Sequence, residues 1–571
     1  MMNGLRKLLL HSHLVYGLLG SDERLVYQKR TDDGRWHSLN PRESLWVKSV
    51  RVQAIALSAA LGLLLYFLLI HFTAQASTLN SGVLSLYTSP TTATTIDTTE
   101  DPKAMGYPDG RKIVRDENGN LYVVYRKKFK AKYVTAYHIF VAKSLDNGHS
   151  WQILNHGRPI EDVGDQNQRV PAIAIDRWGT IHVVWYGKDG ADFKNSDNQI
   201  KYARSTDHGE SWSPWRNIAH VAGYAGQAMW QEHPAIYAAV NDQLYIVWEG
   251  YDAQFPTKTQ IKLLRSTDYG ESWSTWQNVA PSAVDHSRPT IVADENGKLY
   301  ILAYAQISGR QQIVYSRAID GGHQWSNWAR VAPSLMAQRH VSAAIDYSGT
   351  LHVVWQQQVF SLFALLPRLK AQLPTAIYYA TFDGRTWGNA VRIQAGNGGA
   401  QTFPSINVGL VAATDRSTEQ QALNRLIWIV WAELNRGATP DPNASPESTI
   451  YAVAKRDEHW SAPFVVATNG EQSYPSLART RNQLDGYPTG TNAAGATGDI
   501  VWLDHSQGDS RIHFAQLSMI DSAIAGPAMA VARSVGLQSI QPQQKAVMSM
   551  NMMSIGEQAN SWLQQILGIL P

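Results

Sequence analysis

Two hydrophobic patterns divide the chain. Residues 52–72, VQAIALSAALGLLLYFLLIHF, run for 21 positions without a formal charge. At roughly 1.5 Å rise per residue, such a helix matches the ~30 Å hydrocarbon core of a bilayer, so the run predicts one transmembrane helix. From about residue 105 to 518 the pattern changes to short runs rich in Val, Ile, Tyr and Trp, broken by Asn, Asp and Gly. These predict strands joined by tight turns. Beyond 519 lies an apolar tail with a Met-rich KAVMSMNMMSI stretch and a closing NSWLQQILGILP. There Trp562, Leu563, Ile566, Leu567 and Leu570 fall near one face of a helix, which predicts a helical C-terminal tail.

The strand region repeats with a period near 60 residues. One half of the repeat reads SLDNGHSW at 144–151, STDHGESW at 205–212 and STDYGESW at 266–273, with a weaker AIDGGHQW at 318–325 and shortened copies at 381–387 and 455–460. The other half is a strand pair, as in VPAIAIDRWGTIHVVW at 170–185 and HPAIYAAVNDQLYIVW at 233–248. Seven such pairs can be counted, beginning with GRKIVRDENGNLYVVY at 110–125. One unit cannot bury both faces of its sheet, so units stack around an axis and leave only short edges. The fold class expected is all-β, a β-propeller of seven blades, with six as the alternative. The seventh unit lacks a last strand, which a segment within 84–104 would supply. In S-x-D-x-G-x-x-W the Asp carboxylate can bond turn amides, Gly can take positive φ and Trp can pack; each role is local, so the motif reads as structural.

Charge sets the topology. Arg24, Lys29, Arg30, Arg35, Arg42, Lys48 and Arg51 precede the apolar run, and no Lys or Arg follows until Lys103. The positive-inside rule therefore expects residues 1–51 in the cytoplasm and the propeller outside, periplasmic or at the cell surface. A cleaved signal peptide is the alternative, because Ala74-Gln75-Ala76 resembles an A-x-A site. The divisions are then 1–51 cytoplasmic, with a hairpin expected at 25–39 around Asp-Asp-Gly; 52–72 membrane-spanning; 73–104 Ser/Thr-rich stalk; 105–518 propeller; and 519–571 tail. The formal net charge of +3 points to no nucleic acid. Zero cysteine excludes disulfides and thiolate metal sites.

The repeated boxes resemble the Asp boxes of bacterial sialidases and the wider BNR-repeat group, over about residues 105–518. That resemblance implies an arginine triad on a substrate carboxylate, a Tyr–Glu pair and an acid/base Asp, without a cofactor. The forked guanidinium suits a planar carboxylate, and a neighbouring base lowers the cost of ionising a phenol. Gln168-Arg169-Val170-Pro171 is similar to the family's Arg-Ile-Pro motif. Asp192 is similar to its acid/base Asp, with Asp197 second, and Ser473-Tyr474-Pro475-Ser476-Leu477 is loosely similar to its nucleophile context. No position matches the second and third arginines by motif.

Propeller geometry supplies further candidates. Residues just before each innermost strand should ring one mouth: Arg169, Glu232, His233, His286, Arg288, Arg339, His340 and Tyr474. Glutamines 168, 231, 338, 401 and 472 recur there at one register, which suits bonds between strand ends. The loops linking second and third strands add Arg126, Glu249, Asp252, Glu433 and Asp504. Of these, Arg169, Asp192, Tyr474 and Glu232 are the catalytic candidates, and Arg288, Arg339, His233 and His340 the substrate-binding ones. The histidines show no H-x-H or H-E-x-x-H spacing, so no metal is expected. Two function classes follow. One is recognition of glycans or membrane-protein partners by a non-catalytic subunit or scaffold. The other is an exo-sialidase with a Tyr nucleophile and an Arg clamp. The bilayer is met through 52–72, and partner contacts are expected at the apolar insert 359–374 and the tail 519–571.

Overall fold

Seven sheets of β-strands account for the repeats, and their edges are closed by strands that the period does not predict. The computed structural model describes residues 87–520 with breaks, the longest at 360–373, 412–423, 436–446 and 481–496, together with three strands between residues 15 and 38. The second blade shows the pattern: Gln168–Ile175, Ile181–Gly187, Gln199–Ser205 and Arg216–Ala219 pair antiparallel in chain order. The third, fourth and fifth blades start at Gln231–Ala238, His286–Ala293 and Gln338–Ile345 and have the same four-strand order. The sixth starts at Gln401–Val411 and gains a fifth strand, Phe464–Ala467. The second strands are buried along both faces, as in IHVVWYG at 181–187, because each is sandwiched between neighbouring blades.

The ring closes in two places. In the seventh blade, Gln472–Leu477, Thr497–Gln507 and Asp509–Ile520 are completed by Tyr87–Pro90 and Thr94–Thr99, both antiparallel to Asp509–Ile520. Part of the stretch expected as stalk is therefore the closing strand of the propeller. Arg479–Thr480 then pairs parallel with Ile113–Arg115, tying the seventh blade to the first. Seven blades result, and the six-bladed alternative falls. Near the N-terminus Leu25–Arg30 pairs with Trp36–Ser38, the hairpin expected at 25–39, and Val15–Leu19 adds a third strand that the sequence reading missed.

The Asp boxes hold turns on one face. Asp146 accepts from the Ser144 hydroxyl and the Ser150 amide at 2.8 Å each. Hydrogen bonds from Ser150 and Ser144 hold its carboxyl down at about 2. Gly148 in this turn has φ +88°, and a Cβ there would lie 1.9 Å from the Phe514 ring. The box tryptophans pack across to the preceding blade, with Trp273 edge-on to Tyr202 and Trp460 edge-on to Tyr379. Two blades also bury an Asp–His–Tyr chain at the same register: His182 bridges Asp176 (3.2 Å) and Tyr202 (2.8 Å), and His352 bridges Asp346 (3.1 Å) and Tyr379 (2.7 Å). It looks like a relay, but its recurrence at strand-turn positions marks it as bracing.

Among the described residues, no helix is long and apolar enough to cross a membrane. Residues 52–72, the insert at 360–373 and the tail from 521 lie outside the described residues.

Candidate functional site at the propeller mouth

A repeated defect in the innermost strands builds the site. In blades two to seven the register slips between Arg169/Ala172, Glu232/Ala235, Ser287/Thr290, Arg339/Ser342, Thr402/Ser405 and Ser473/Ser476. At each bulge one non-glycine residue has positive φ: Val170, His233, Arg288, His340, Phe403 and Tyr474, all between 43° and 53°. Each such residue costs on the order of 1 kcal/mol or more, so a sixfold occurrence needs a return. The return is direction. A bulge breaks the strand's alternation and turns one side chain per blade toward the axis.

Five of these side chains form a collar around Tyr107, a residue the sequence reading did not single out. The His340 ring stacks on Tyr107 at 5.5 Å and 9°, Tyr474 meets it edge-on at 5.9 Å, and Phe403 and His233 lie at 6.1 Å. The Arg288 guanidinium sits 3.5 Å above the Tyr107 ring centroid. Tyr107 belongs to the segment 101–112, which crosses the axis and stops the mouth like a plug. Its only signal was negative: YPDG precedes the first strand pair where the other blades carry the end of an innermost strand.

Below the plug the axis is charged. Asp109 lies 3.7 Å from Arg288, and burial pushes its carboxyl up to about 6 against the pull of that arginine. Burial lowers Lys112 to about 7, and its Nζ donates to the Pro171 carbonyl at 2.5 Å. Arg111 donates to the carbonyls of Ala343 (2.9 Å), Ile406 (2.6 Å) and Leu477 (3.3 Å) and to the Ser405 hydroxyl (3.2 Å), so one guanidinium ties three blades. A cavity of about 50 Å³ remains here, lined in part by Asp109, Arg111, Tyr237, Asn407 and Arg479.

The expected residues separate into three groups. His233, Arg288, His340 and Tyr474 are in the collar. Arg169 and Arg339 are exposed, and each pairs across its inner hairpin, with Tyr186 and Gln356. Glu232 is half-buried and faces Glu249 across the third blade's hairpin. Asp192 and Asp197 lie outside the described residues. His286 is buried, stacked on Trp328 at 4.8 Å, and bonded to the Val284 carbonyl.

The link-loop acids mostly serve structure. Glu433 accepts from the amides of Gly396, Asn397 and Gly399 and from Trp431 Nε1. Asp252 takes Lys262 at 2.5 Å, Asp504 takes the Ser506 amide, and Arg126 is paired with Asp101. Only Glu249 reaches the centre. The glutamines tie strand ends: Trp185, Trp248 and Trp502 donate to Gln168, Gln231 and Gln472 at 2.7–2.9 Å. Gly250 permits this, since a Cβ there would lie 2.1 Å from Gln231 Oε1.

Electrostatics at this mouth combine arginines with the acids Asp109, Glu232 and Glu249. Burial drives the His340 ring down to about 3, helped by Arg288 and Arg339, so it is neutral near pH 7. Burial raises the Tyr474 phenol to about 12, and Tyr107 and Glu471 push the same way. Burial opposes the Arg288 charge, but Asp109, Tyr304 and Glu249 outweigh it and hold the guanidinium ionised. The mouth thus presents fixed arginines beside neutral aromatic rings.

Solved structures with similar folds include a protein of unknown function from Dyadobacter fermentans (15% identity over 76% of this chain and 99% of that one, TM-score 0.43). An ulvan lyase of polysaccharide lyase family PL25 aligns at 12% identity over 74% and 95% of the two chains (TM-score 0.46), and a Hadza microbial sialidase at 14% over 69% and 74% (TM-score 0.40). No curated protein sequence matches. The profile of a BNR repeat-containing family member matches residues 70–226. The BNR repeat-like domain matches residues 179–487, more than half of the chain, and this chain belongs to that BNR repeat-like family.

Proposed function

We propose that the mouth recognises glycans bearing a carboxylate, and that the protein acts by binding rather than by hydrolysis. The observation that carries this reading is the collar: four aromatic or imidazole rings and the half-buried Arg288 around Tyr107, with Arg169 and Arg339 exposed at the inner-strand ends. Flat rings suit the C–H faces of a sugar, and guanidinium forks suit a carboxylate. Hydrolysis by the sialidase route needs an activated phenol, whereas the surroundings of Tyr474 raise its pKa to about 12. In this reading residues 52–72 anchor the chain with the propeller outside the cytoplasm, and the insert 359–374 and the tail 519–571 are free to meet membrane-protein partners.

The test is an array of sialosides, oligouronates and neutral oligosaccharides probed with the full chain in detergent. Binding to acidic glycans, weakened tenfold or more in the double variant Arg169→Ala/Arg339→Ala, is the expected outcome. Equal binding to neutral glycans, or none to any, defeats the reading. Release of 4-methylumbelliferone from its sialoside by the wild-type chain, lost in Tyr474→Phe, would replace binding with catalysis.

A further inference from the structure

The third blade departs from its neighbours at the mouth. At the two cross-strand positions beside each bulge the other blades place Arg169 and Tyr186, Ser287 and Tyr304, Arg339 and Gln356, Thr402 and Ala432, or Ser473 and Leu503. The third blade places Glu232 directly opposite Glu249. Like charges facing each other across a strand pair are destabilising. The bulge then adds His233, whose positive φ lets two consecutive residues aim at one point instead of at opposite faces. Ligand atoms of Glu232, His233 and Glu249 lie within 4.8 Å of one another.

We infer that Glu232, His233 and Glu249 form a binding site for a divalent transition metal of the Zn²⁺ or Mn²⁺ class. His233 Nδ1 is 2.5 Å from Glu249 Oε1 and 3.9 Å from Glu232 Oε2. An ion about 2.0–2.2 Å from each ligand needs ligand atoms roughly 3–3.5 Å apart. The His233–Glu249 gap must open and the His233–Glu232 gap close by up to about an ångström, and the two carboxylates, within 4.8 Å of each other, must draw together as well, all within the reach of side-chain torsions. The ligand set selects the ion: imidazole favours Zn²⁺ over Ca²⁺ and Mg²⁺, while the two carboxylates also admit Mn²⁺ and offset the charge. Outer contacts are in place. Glu249 Oε2 accepts the Arg288 amide at 2.8 Å, and Asn198 Nδ2 donates to Glu232 Oε1 at 2.5 Å.

The exposures set the coordination. Glu249 is 6% exposed, His233 11% and Glu232 24%, so a buried side is closed and a solvent side is open. Three protein ligands with an open position leave room for water or a carboxylate ligand. The nearby Arg288 charge opposes a cation, so micromolar affinity is expected rather than the tighter binding of a closed four-ligand site. No H-x-H or H-E-x-x-H spacing announces the set, because it comes from two strands and is gathered by a register slip.

Calorimetric titration of the EDTA-treated full chain in detergent with Zn²⁺, and separately with Mn²⁺, tests this without any glycan, so it stands or falls apart from the glycan reading. One ion per chain with micromolar affinity is expected for at least one metal. It should weaken tenfold or more in His233→Gln and in Glu249→Gln, and persist in His149→Gln, an exposed histidine of the first Asp box. If Glu249→Gln melts before titration, Glu232→Gln, at the more exposed ligand, serves instead. Absence of a one-to-one site up to millimolar metal, or binding unaltered by these substitutions, overturns the inference.

Discussion

The two faces of the propeller obey different rules. On the Asp-box face the same residue types recur blade after blade: Asp to turn amides, Gly at positive φ, and in four boxes Trp against a Tyr or Phe ring of the preceding blade. On the mouth face the strand-end glutamines recur, but at the bulges only the backbone does. The six bulges have nearly one φ value, yet the residues on them are Val, His, Arg, His, Phe and Tyr. The lesson is that repetition of side chains marks what holds the ring, and repetition of backbone with changing side chains marks where chemistry is free to differ. The fold spends its strain at the mouth and its capping bonds at the other end.

The comparison can be broken most forcefully at the axis between the faces. Arg111→Met removes the donor for three carbonyls and a hydroxyl from three blades, and should cost roughly 3 to 5 kcal/mol in denaturant unfolding. A loss below about 1 kcal/mol would mean that the ring does not depend on the plug segment.

A pH experiment sharpens the contrast. The folded pKa of His340, about 3, lies below the unfolded value near 6.5. A depressed folded pKa gives stability that is complete above 6.5 and lost as pH falls toward 3. By pH 4 the loss is on the order of 3 kcal/mol. Asp109, raised to about 6, works the other way and gains stability as pH falls. The difference between wild type and His340→Phe, unfolded at pH 7 and pH 4, isolates the histidine. The variant should have the flatter dependence, and equal slopes would show the ring to be solvated.

The smallest effect belongs to the repeated face. Asp207→Ala loses turn bonds from Ser205 and the Ser211 amide on a solvent-facing loop. About 1 kcal/mol of stability should go, with mouth-ligand affinity and metal affinity unchanged. A change in either affinity would erase the division between the faces.

This division also explains what the sequence disclosed. The Asp boxes and the inner strand pairs were legible because six copies of the one and seven of the other announce themselves, and so was the missing strand, since six complete units leave one incomplete. The mouth register was legible too: His233, Arg288, His340 and Tyr474 converge as propeller geometry requires. Tyr107, Asp109 and Arg111 were not, because a segment that crosses the axis once has no second copy to compare with. The meeting of Glu232, His233 and Glu249 was hidden for another reason. Strand alternation sends residues 232 and 233 to opposite faces, and only the bulge reverses that.

The closure of the ring has a consequence in time as well as space. Thr95 and His513 meet across the seventh blade, yet lie 418 positions apart in the chain. During synthesis the closing strand is made early and waits, unpaired, until the last blade emerges. A product cut short before residue 509 has its apolar sheets but no partner for that strand. Its open edges mark it for proteolysis, so completion of the ring certifies that the chain has been made through its last blade.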